Sequence, residues 1–272
     1  HNPEKYGETV DRVKAKGSTP AGMHISIMVQ EILDFLDIKP GQTGLDATLG
    51  YGGHTRKMLE RLEGNGHIYA LDVDPIESEK TKNRLKQAGF GEDILSVRLM
   101  NFADIDQLAD EVGKFDFILA DLGVSSMQID NPERGFSYKE DGPLDLRLNP
   151  QKGVSAAERL RKLSEDEIIG MLQENSDEPY AEEIAAAIMN EFRRGNSIET
   201  TKQLAKIIEK AVGYKVDKSE RAKAVKKSCA RVFQALRIDV NSEFEVLDAF
   251  LNKLPSVLNK GGKVAILTFH SG

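Results

Sequence analysis

The residues best suited to chemistry begin with a glycine-rich loop that follows a short apolar run. Gly50, Gly52 and Gly53 lie within residues 50–53, which we call the glycine loop. Glycine adopts positive φ readily and lets the backbone approach a ligand closely, because it has no Cβ. A helical pattern over residues 56–62 follows, and the N-terminus of that helix would point at the bound group. The stretch therefore predicts a cradle for a small ligand.

Three carboxylates stand where apolar runs end. Asp46 precedes the glycine loop, Asp72 ends the run that starts at residue 67, and Asp121 lies near the end of the run that starts at residue 115. In an open parallel sheet, ligands bind beyond the carboxyl ends of the strands, and an acidic residue after the second strand bonds ribose hydroxyls. The pattern predicts a nucleoside cofactor with Asp72 on its ribose.

The spacing of the glycine loop separates two kinds of nucleoside cofactor. The dinucleotide fingerprint G-x-G-x-x-G requires a small residue at position 55, where this chain has Thr55. The arrangement D-x-x-x-G-x-G-G, led by Asp46, resembles motif I of class I S-adenosylmethionine methyltransferases instead. In that class the loop packs against the adenosyl and methionine parts, and an upstream carboxylate can serve the ammonium group. The resemblance implies S-adenosylmethionine as the cofactor.

Residues 121–124 stand where amino-methyltransferases carry a D/N/S-P-P-Y motif. The lone pair of an exocyclic base amine is delocalised into the ring, so an acceptor such as Asp121 would favour its attack on a methyl group. No covalent nucleophile is required, because methyl transfer depends on in-line positioning and on desolvation of the sulfonium. Asp121 is either a base or only an acceptor. The weak basicity of the amine favours an acceptor first, with the proton leaving to water.

Apolar runs and helical spacings alternate through the first half of the chain. The runs predict strands, and the 3.6-residue spacings between them predict helices. The predicted strands span residues 43–49, 67–72, 95–99, 115–122 and 263–269, and the predicted helices span residues 25–36, 56–62, 76–88 and 105–112. This order predicts an α/β fold of the Rossmann-like class I methyltransferase type, with a parallel sheet and right-handed crossovers.

The alternation stops between residues 125 and 227, where no strand pattern occurs. Capping boxes at Ser164 and Thr200 each precede a helical apolar stripe, and Asn241 is expected to cap a later helix. The sequence therefore predicts an inserted all-α domain for substrate recognition over residues 127–228. The methyltransferase domain would be discontinuous, formed by residues 1–126 and 229–272.

The composition excludes several classes of protein. A formal net charge of −7 argues against a nonspecific nucleic-acid binder, which is usually basic. The chain has no run of roughly 18 apolar residues that would span a membrane, and its polar N-terminus lacks a signal-peptide core. The single cysteine, Cys229, excludes an internal disulfide and is expected of a cytoplasmic protein. His1 at the start, and an end at Gly272 directly after an apolar run, suggest a chain that is cut short.

Positive charge is concentrated in one segment, which we call the basic cluster. It holds eight Lys or Arg against two acidic residues, and its members are Lys215, Lys218, Arg221, Lys223, Lys226, Lys227, Arg231 and Arg237. Such a run is commonly a solvated helix face. The functional interpretation is a surface that contacts phosphates on an otherwise acidic protein.

Four longer runs carry a more specific resemblance. They read DATLGYGGH from Asp46, DLGVSSMQ from Asp121, RGFS and DGPLDLR from Arg134 and Asp141, and FQALRI with VN and FHS from Phe233. In this order they resemble the bacterial 16S ribosomal RNA (cytosine-N4)-methyltransferase family, over residues 24–271. The resemblance implies an S-adenosylmethionine-dependent enzyme that methylates the N4 amine of a decoding-centre cytosine in 16S ribosomal RNA.

The resemblance also implies roles for individual residues, with Asp121 as the catalytic one. The implied cofactor-binding residues are Asp46, Gly50, Gly52, Gly53, His54, Asp72, Phe102, Asp121 and Gln128. The implied substrate-binding residues, around a pocket for a cytidine taken out of its RNA context, are Arg134, Phe136, Arg147, Arg231, Phe233, Gln234, Arg237 and His270. Phosphates flanking that cytidine would contact the basic cluster.

These roles make 16S ribosomal RNA or the small ribosomal subunit the expected partner. Neither a membrane nor a metal ion is expected to take part, since the histidines are scattered without metal-ligand spacing. Homodimerisation is a further expectation.

Departures from the family pattern keep other functions open. Tyr51 stands where the family has arginine, and Met127 where it has proline. One alternative is a paralogous methyltransferase for another RNA or a small substrate, and another is a non-catalytic RNA-binding assembly factor. Cys229 would be the nucleophile of a cytosine-C5 methyltransferase, but it lacks the preceding proline typical of that chemistry, so we interpret it as structural.

Overall fold

A computed structural model describes residues 28–268 of the chain. Within them the strands are β1 (Thr43–Asp46), β2 (His67–Asp72), β3 (Leu95–Leu99), β4 (Phe115–Asp121) and β5 (Leu258–Leu267). They form one parallel sheet in the order β3-β2-β1-β4-β5. The predicted α/β, Rossmann-like fold class is confirmed. The strand order reverses between β1 and β4, and ligands bind beyond the carboxyl ends of strands at such a point.

Helices connect and follow the strands of this sheet. In chain order they are α1 (Val29–Leu36), α2 (Gly53–Leu62), α3 (Pro75–Gln87), α4 (Ile105–Val112), α5 (Ser126–Ile129), α6 (Ala156–Lys162), α7 (Glu165–Ser176), α8 (Ala181–Arg193), α9 (Thr201–Gly213), α10 (Arg221–Val240) and α11 (Glu243–Val257). Among residues 28–268, every helix is too short or too polar to span a bilayer.

The centre of the sheet is apolar on both faces, as a parallel sheet between helices requires. On β4, Phe115, Phe117 and Ile118 are fully buried. Gly44 on the neighbouring β1 leaves room for the Phe117 ring, because a Cβ at Gly44 would lie 2.0 Å from that ring. The close packing fixes β1 against β4, and these are the two strands that carry Asp46 and Asp121 to one edge of the sheet.

Several predicted boundaries move in the structure. β1 is shorter than predicted and ends at Asp46, where the chain enters the glycine loop. α2 begins at Gly53 instead of residue 56, because Gly52 with φ +86° already serves as its N-cap. β5 begins at Leu258, five residues before the predicted start, and contains an irregularity before Lys263, where Gly261 has φ +77°. Residues 25–27 of the first predicted helix and residue 269 of the last predicted strand lie outside the described residues.

The chain divides into two compact units, Val124–Leu247 and the remainder. The first of these is the helical unit, and its core includes Cys229, Val232 and Phe233 from α10. The predicted domain boundary after residue 228 cuts this helix, whereas the compact unit continues to Leu247. The reason is physical: α10 has a continuous apolar face from Ser228 to Ile238, and that whole face is buried.

Asn241 does not cap the helix that follows it, and this prediction is wrong. It ends α10 instead, and its side chain ties that end to a loop of the helical unit. Its Oδ1 accepts from the backbone N–H of Leu148, and its Nδ2 donates to the carbonyls of Leu146 and Arg237, each at 2.8 Å. The side chain thus satisfies carbonyls at a helix C-terminus, a role that N-cap statistics do not predict.

Candidate functional site

The site lies where β1 and β4 end side by side, at the reversal of the strand order. Asp46 is the last residue of β1 and Asp121 the last residue of β4. The hydroxyl of Thr48 accepts a hydrogen bond from the backbone N–H of Asp121 at 2.6 Å, and Ala47 donates to the carbonyl of Leu119 at 2.8 Å. These bonds hold the start of the loop after β1 against the end of β4.

Asp46 braces the loop from within the protein. One carboxylate oxygen accepts from the backbone N–H of Thr48 at 3.0 Å, and the other accepts a short hydrogen bond from the Thr55 hydroxyl. The side chain is 1% exposed, and burial raises the pKa of its carboxyl group. Both oxygens of Asp46 therefore have hydrogen-bond partners inside the chain. The sequence analysis predicted a direct cofactor contact for Asp46 and did not predict these internal hydrogen bonds.

The glycine loop is open on one side and closed on the other. Gly50 has φ +52°, and a Cβ there would meet only the carbonyl of Thr48, at 3.9 Å. Gly52 has φ +86°, and a Cβ there would lie 2.7 Å from Cγ2 of Thr81 on α3. The hydroxyl of Thr81 also donates to the carbonyl of Gly50 at 2.5 Å. The loop is thus fastened to α3 at Gly52 and leaves space at Gly50. Gly53 is the first residue of α2.

Arg84 on α3 is a site residue that the sequence reasoning missed. Its guanidinium carbon lies 4.1 Å from the centre of the Tyr51 ring, a cation–π distance. Its Nη2 donates to the Thr81 hydroxyl at 2.7 Å and to the Tyr51 carbonyl at 3.2 Å. A cation therefore stands beside the loop although position 51 itself is a tyrosine. The sequence signal was weak: an arginine and a threonine three positions apart on a helix, one element after the loop.

Asp72 ends β2 beside the glycine loop, as predicted for a ribose contact. Its Oδ2 accepts from the backbone N–H of Gly50 at 3.3 Å, and its Oδ1 accepts from the N–H of Asp74 at 3.0 Å. Burial, helped by the nearby Asp74 charge, raises the pKa of the Asp72 carboxyl to about 6. The group is partly accessible, so it has acceptor capacity beyond its two backbone partners.

His54 and Asp121 face each other across the site. His54 lies in the first turn of α2, and its Nε2 is 3.5 Å from Oδ2 of Asp121. His54 is 9% exposed and Asp121 is 31% exposed, so the carboxylate lies on the accessible side of the pair. Nε2 of His54 is a buried atom with no hydrogen-bond partner among residues 28–268.

Phe102 begins a short 3₁₀ turn after β3. The side chain of Asn101 caps this turn by accepting from the N–H of Ala103 at 3.0 Å. The Phe102 ring packs edge-to-face on the fully buried Phe250 of α11, with ring centres 5.0 Å apart. The ring is therefore held in place and only partly buried, as an aromatic wall beside an adenine would be.

In the helical unit, the predicted residues Gln128, Arg134 and Phe136 have partners within their own segment. Gln128 closes a capping box on α5, where its Oε1 accepts from the N–H of Ser125 at 2.9 Å. Arg134 is 4% exposed, and its Nη2 donates to the carbonyl of Leu148 at 2.9 Å. Its guanidinium carbon lies 5.8 Å from the ring centre of Phe136.

Arg147 closes the same loop. It forms a two-point ion pair with Asp145, at 2.7 and 3.0 Å, and donates to the carbonyl of Gly153 at 3.0 Å. Together with Arg134 it fixes the backbone of residues 134–148. The structure thus gives both arginines an internal role, which the sequence reasoning did not predict for them.

The four predicted substrate residues on α10 also have partners within the helical unit. Phe233 is 5% exposed and packs on Tyr138, with ring centres 5.5 Å apart. Arg237 forms a two-point ion pair with Glu243, at 2.8 and 3.1 Å. Arg231 lies 3.9 Å from the Glu178 carboxylate, and Gln234 makes a long 3.4 Å hydrogen bond to the Asn175 carbonyl. Phe233 therefore belongs to the core of the helical unit and not to its exposed surface.

The basic cluster divides into an exposed part and a partly buried part, Arg231 and Arg237. Its exposed members are Lys215, Lys218, Arg221, Lys223, Lys226 and Lys227, at the end of the α9–α10 connection and on the first turns of α10. Tyr214, beside them, is 88% exposed. Lys215 pairs with Glu183 at 3.4 Å. An exposed aromatic ring among lysines provides both parts of a nucleic-acid contact, a stacking face and phosphate partners.

The remaining predictions concern Cys229, metal binding and His270. Burial raises the pKa of the Cys229 thiol to about 11, and the side chain is 1% exposed. A nucleophilic cysteine requires a thiolate, so the geometry supports the structural interpretation of Cys229. Among residues 28–268, no three His, Cys, Asp or Glu side chains form a group that could hold a metal ion. His270 lies outside the described residues.

A glycine loop after the first strand and a carboxylate at the end of the second place this protein among the Rossmann-like enzymes that bind a nucleoside cofactor. Residues 21–272 match the model of the MraW methylase family, so the chain belongs to that family. It is a methyltransferase, and S-adenosylmethionine is its methyl donor.

Relatives with high identity cover almost the whole chain. The chain is 69% identical over 271 residues to ribosomal RNA small subunit methyltransferase H 1 of Agathobacter rectalis, covering 100% of this chain and 77% of the relative. It is 66% identical over 270 residues to the protein of that name from Lachnoclostridium phytofermentans, covering 99% and 74%. It is 42% identical over 251 residues to ribosomal RNA small subunit methyltransferase H of Pseudoalteromonas atlantica, covering 91% and 76%.

The residues of the site fit this cofactor. The open side at Gly50 admits a ligand close to the backbone, and Asp72 beside it offers a carboxylate to a ribose diol. Asp121 offers a partly exposed carboxylate at the end of β4, beside the reversal of the strand order. Both carboxylates are hydrogen-bond acceptors, which suit the hydroxyl and amine donors of a nucleoside cofactor.

Proposed function

We propose that this protein transfers a methyl group to the N4 amine of a cytosine in 16S ribosomal RNA. The observation that carries the proposal is Asp121: a partly exposed acceptor at the end of β4, fixed by Thr48 and facing His54. Support for the RNA comes from the relatives, which are named as ribosomal RNA small subunit methyltransferases. We propose the decoding-centre cytosine as the target and the cytoplasm as the place of reaction.

In this proposal the α/β unit holds the cofactor. The backbone of Gly50, Gly52 and Gly53 lines the cradle, and Asp72 accepts from the ribose hydroxyls. Phe102 flanks the adenine, held by Phe250. Asp46 acts one step back, because its buried carboxylate holds Thr48 and Thr55 and so fixes both ends of the loop.

Bound S-adenosylmethionine supplies an electrophilic methyl group on a sulfonium. Asp121 accepts a hydrogen bond from the cytosine amine and so turns its lone pair toward the methyl group, while the bond from Asp121 N–H to Thr48 keeps this acceptor in place. The amine is a weak base, so Asp121 acts first as an acceptor and not as a base that removes a proton beforehand.

The helical unit recognises the RNA in this proposal. Arg134 and Arg147 fix the loop of residues 134–148 from inside, and Phe136 lies on that loop beside Arg134. Gln128, Arg231, Phe233, Gln234 and Arg237 support the neighbouring surfaces through their internal partners. The exposed part of the basic cluster, with Tyr214, contacts phosphates and an unpaired base. The predicted homodimer and the predicted domain boundaries stay predictions.

Asp72 makes cofactor affinity dependent on pH. Because the pKa of its carboxyl is raised to about 6, the group is largely protonated below that pH in the free protein. Ribose hydroxyls donate to the carboxylate form, so binding releases a proton in that range. We expect the Kd of S-adenosylmethionine to rise as pH falls from 7 to 5, by at most about tenfold per pH unit below pH 6. Calorimetry at several pH values measures it.

The Asp72→Asn variant is the matched control, since it cannot ionise. We expect weaker binding with a flat dependence between pH 5 and 7. A dependence equal to that of the wild type would assign the proton to another group and contradict the role of Asp72. The effect of Asp72 on folding stability has the opposite pH dependence. Between about pH 4 and 6, the folded chain keeps a proton on Asp72 that the unfolded chain has lost. Burial of Asp72 therefore lowers the free energy of unfolding as pH rises from about 4 to 6.

The experiment that tests the function is mass mapping of small-subunit ribosomal RNA from cells that carry or lack the gene. A matched strain carries the Asp121→Ala variant. We expect an N4-methylated cytosine only with the wild-type gene. A methyl group lost from another nucleotide would replace this proposal with the paralogous-methyltransferase alternative. Unchanged RNA, together with a defect in subunit assembly that Asp121→Ala rescues, would favour the non-catalytic assembly factor.

A further inference from the structure

Three titratable groups that interact with one another lie near the ends of β1 and β4. Asp46 on β1 is 1% exposed, His54 on α2 is 9% exposed, and Asp121 on β4 is 31% exposed. His54 interacts electrostatically with Asp46, and its Nε2 is 3.5 Å from Oδ2 of Asp121. Of the three groups, Asp121 is the most exposed, so burial increases from Asp121 through His54 to Asp46.

Asp46 and His54 differ in their hydrogen bonding. Both oxygens of Asp46 accept hydrogen bonds, from Thr48 and Thr55. Nε2 of His54 is buried without a hydrogen-bond partner among the described residues. A buried polar atom without a partner is costly and rare, and its retention calls for an explanation such as a catalytic role. The nearest group it could share a proton with is Asp121.

We propose that His54 and Asp121 form a proton-accepting pair, in which His54 takes from Asp121 the proton that the cytosine amine loses. His54 acts through Asp121 and does not touch the substrate, so it is a positioning and relay residue. The pair gives the proton a place inside the protein and makes its release to water a later step.

The step balances as follows. The N4 lone pair forms the new C–N bond, and the C–S bond breaks with its electron pair remaining on sulfur. The methylated nitrogen, now carrying a positive charge, gives one proton to Oδ2 of Asp121. That proton passes to Nε2 of His54, because an imidazole is ordinarily a stronger base than a carboxylate. Asp121 returns to the carboxylate form, and protonated His54 interacts favourably with the carboxylates of both Asp46 and Asp121.

This role rests on amine methylation as the function proposed above, so one test is independent of any RNA substrate. Nitrogen-15 labelled histidine reports the titration of each ring by NMR. His54 is assigned by the loss of its signal in His54→Gln, and His67 on β2 serves as internal reference. We expect the titration midpoint of His54 to fall by at least 0.5 pH unit in Asp121→Asn, while that of His67 stays constant. A shift below 0.2 unit would overturn the pairing.

The second test is kinetic and uses His54→Gln, which keeps a polar side chain of similar length but takes up no proton. We expect kcat at pH 7 to fall at least tenfold, which is less than the roughly 10²- to 10⁴-fold typical of a group that exchanges a proton with the substrate itself. The Kd of S-adenosylmethionine should change less than threefold. In His54→Gln, the acidic limb of the pH profile of kcat should lie at least one pH unit from its position in the wild type. His67→Gln, at the opposite end of β2, should behave as wild type.

The outcomes separate the two proposals. If the NMR coupling is present but no cytosine methylation occurs, the pair stands and the proposed function fails. If cytosine is methylated and His54→Gln has wild-type kcat with an unchanged pH profile, the function stands and the relay fails. A loss of kcat without any change in the pH profile also overturns the relay, because a purely structural role gives that result.

Discussion

Asp121→Ala is expected to lower kcat for methyl transfer by at least 100-fold, while the Kd of S-adenosylmethionine rises less than fivefold. The reason is position: Asp121 ends β4 with a partly exposed carboxylate, whereas the glycine loop and Asp72 provide most of the cofactor contacts in our proposal. Loss of a positioned acceptor or base typically costs 10²- to 10⁴-fold in rate. Single-turnover kinetics and calorimetry on the same preparation measure the two quantities.

Asp121→Asn separates the two roles of this carboxylate. The amide oxygen still accepts a hydrogen bond from the cytosine amine, but the side chain cannot receive a proton. We expect its kcat to lie between those of the wild type and Asp121→Ala. Asp110→Ala is the control, because it removes a carboxylate of the same charge from the exposed surface of α4. A turnover of Asp121→Ala within twofold of the wild type would remove Asp121 from the mechanism.

The part of the site that lies close together in sequence was predictable. The glycine loop, Asp46 and the helix after it form one continuous stretch, and the positive φ of Gly50 and Gly52 follows from residue type. Asp72 and Asp121 were predictable because apolar runs mark buried parallel strands, and the ends of such strands meet at one edge of the sheet. Period and topology were sufficient for these residues.

The fastening of the loop was not predictable in the same way. Thr81 and Arg84 lie on α3 and reach back to residues 50 and 51 across about thirty positions of sequence. Nothing in a helical pattern says which polar side chain of a partly buried face will meet a given loop. The register of α3 against the loop is set by tertiary packing, for instance by the close contact between Gly52 and Thr81.

Charged residues of the helical unit show a further limit. Arg134, Arg147 and Arg237 have the residue type and motif position of substrate contacts, yet each is engaged by the unit's own carbonyls or carboxylates. An arginine at a bidentate site is suited equally to a carboxylate of its own chain and to a phosphate. Sequence gives the donor but not the acceptor, so such residues need a structure before a role is assigned.

The domain boundary predicted after residue 228 shows a related limit of motif-based reasoning. The prediction assigned residues 229–240 to the methyltransferase domain. The apolar face of α10 extends through them, and Val232, Phe233 and Leu236 are buried in the core of the helical unit. A helix of 20 residues behaves as one rigid element, so its packing and not its motif decides which unit holds it.

Gly52→Ala is expected to weaken S-adenosylmethionine binding by roughly 10- to 100-fold. An alanine at φ +86° costs about 1–2 kcal/mol, and its Cβ would lie 2.7 Å from Cγ2 of Thr81. Thr81 cannot rotate away cheaply, because its hydroxyl is bonded to the Gly50 carbonyl and to Arg84. The loop must therefore move off α3, and Gly50 moves with it, away from Asp72.

Gly64→Ala is the matched control for Gly52→Ala. Gly64 has φ +78°, nearly that of Gly52, but a Cβ there would meet nothing within 4 Å. Both variants carry the cost of the left-handed backbone, and only Gly52→Ala carries the clash with Thr81. We expect both to lower Tm, Gly52→Ala by more, and only Gly52→Ala to raise the Kd measured by calorimetry. Equal cofactor affinity in the two variants would show that fastening the glycine loop to α3 does not shape the binding site.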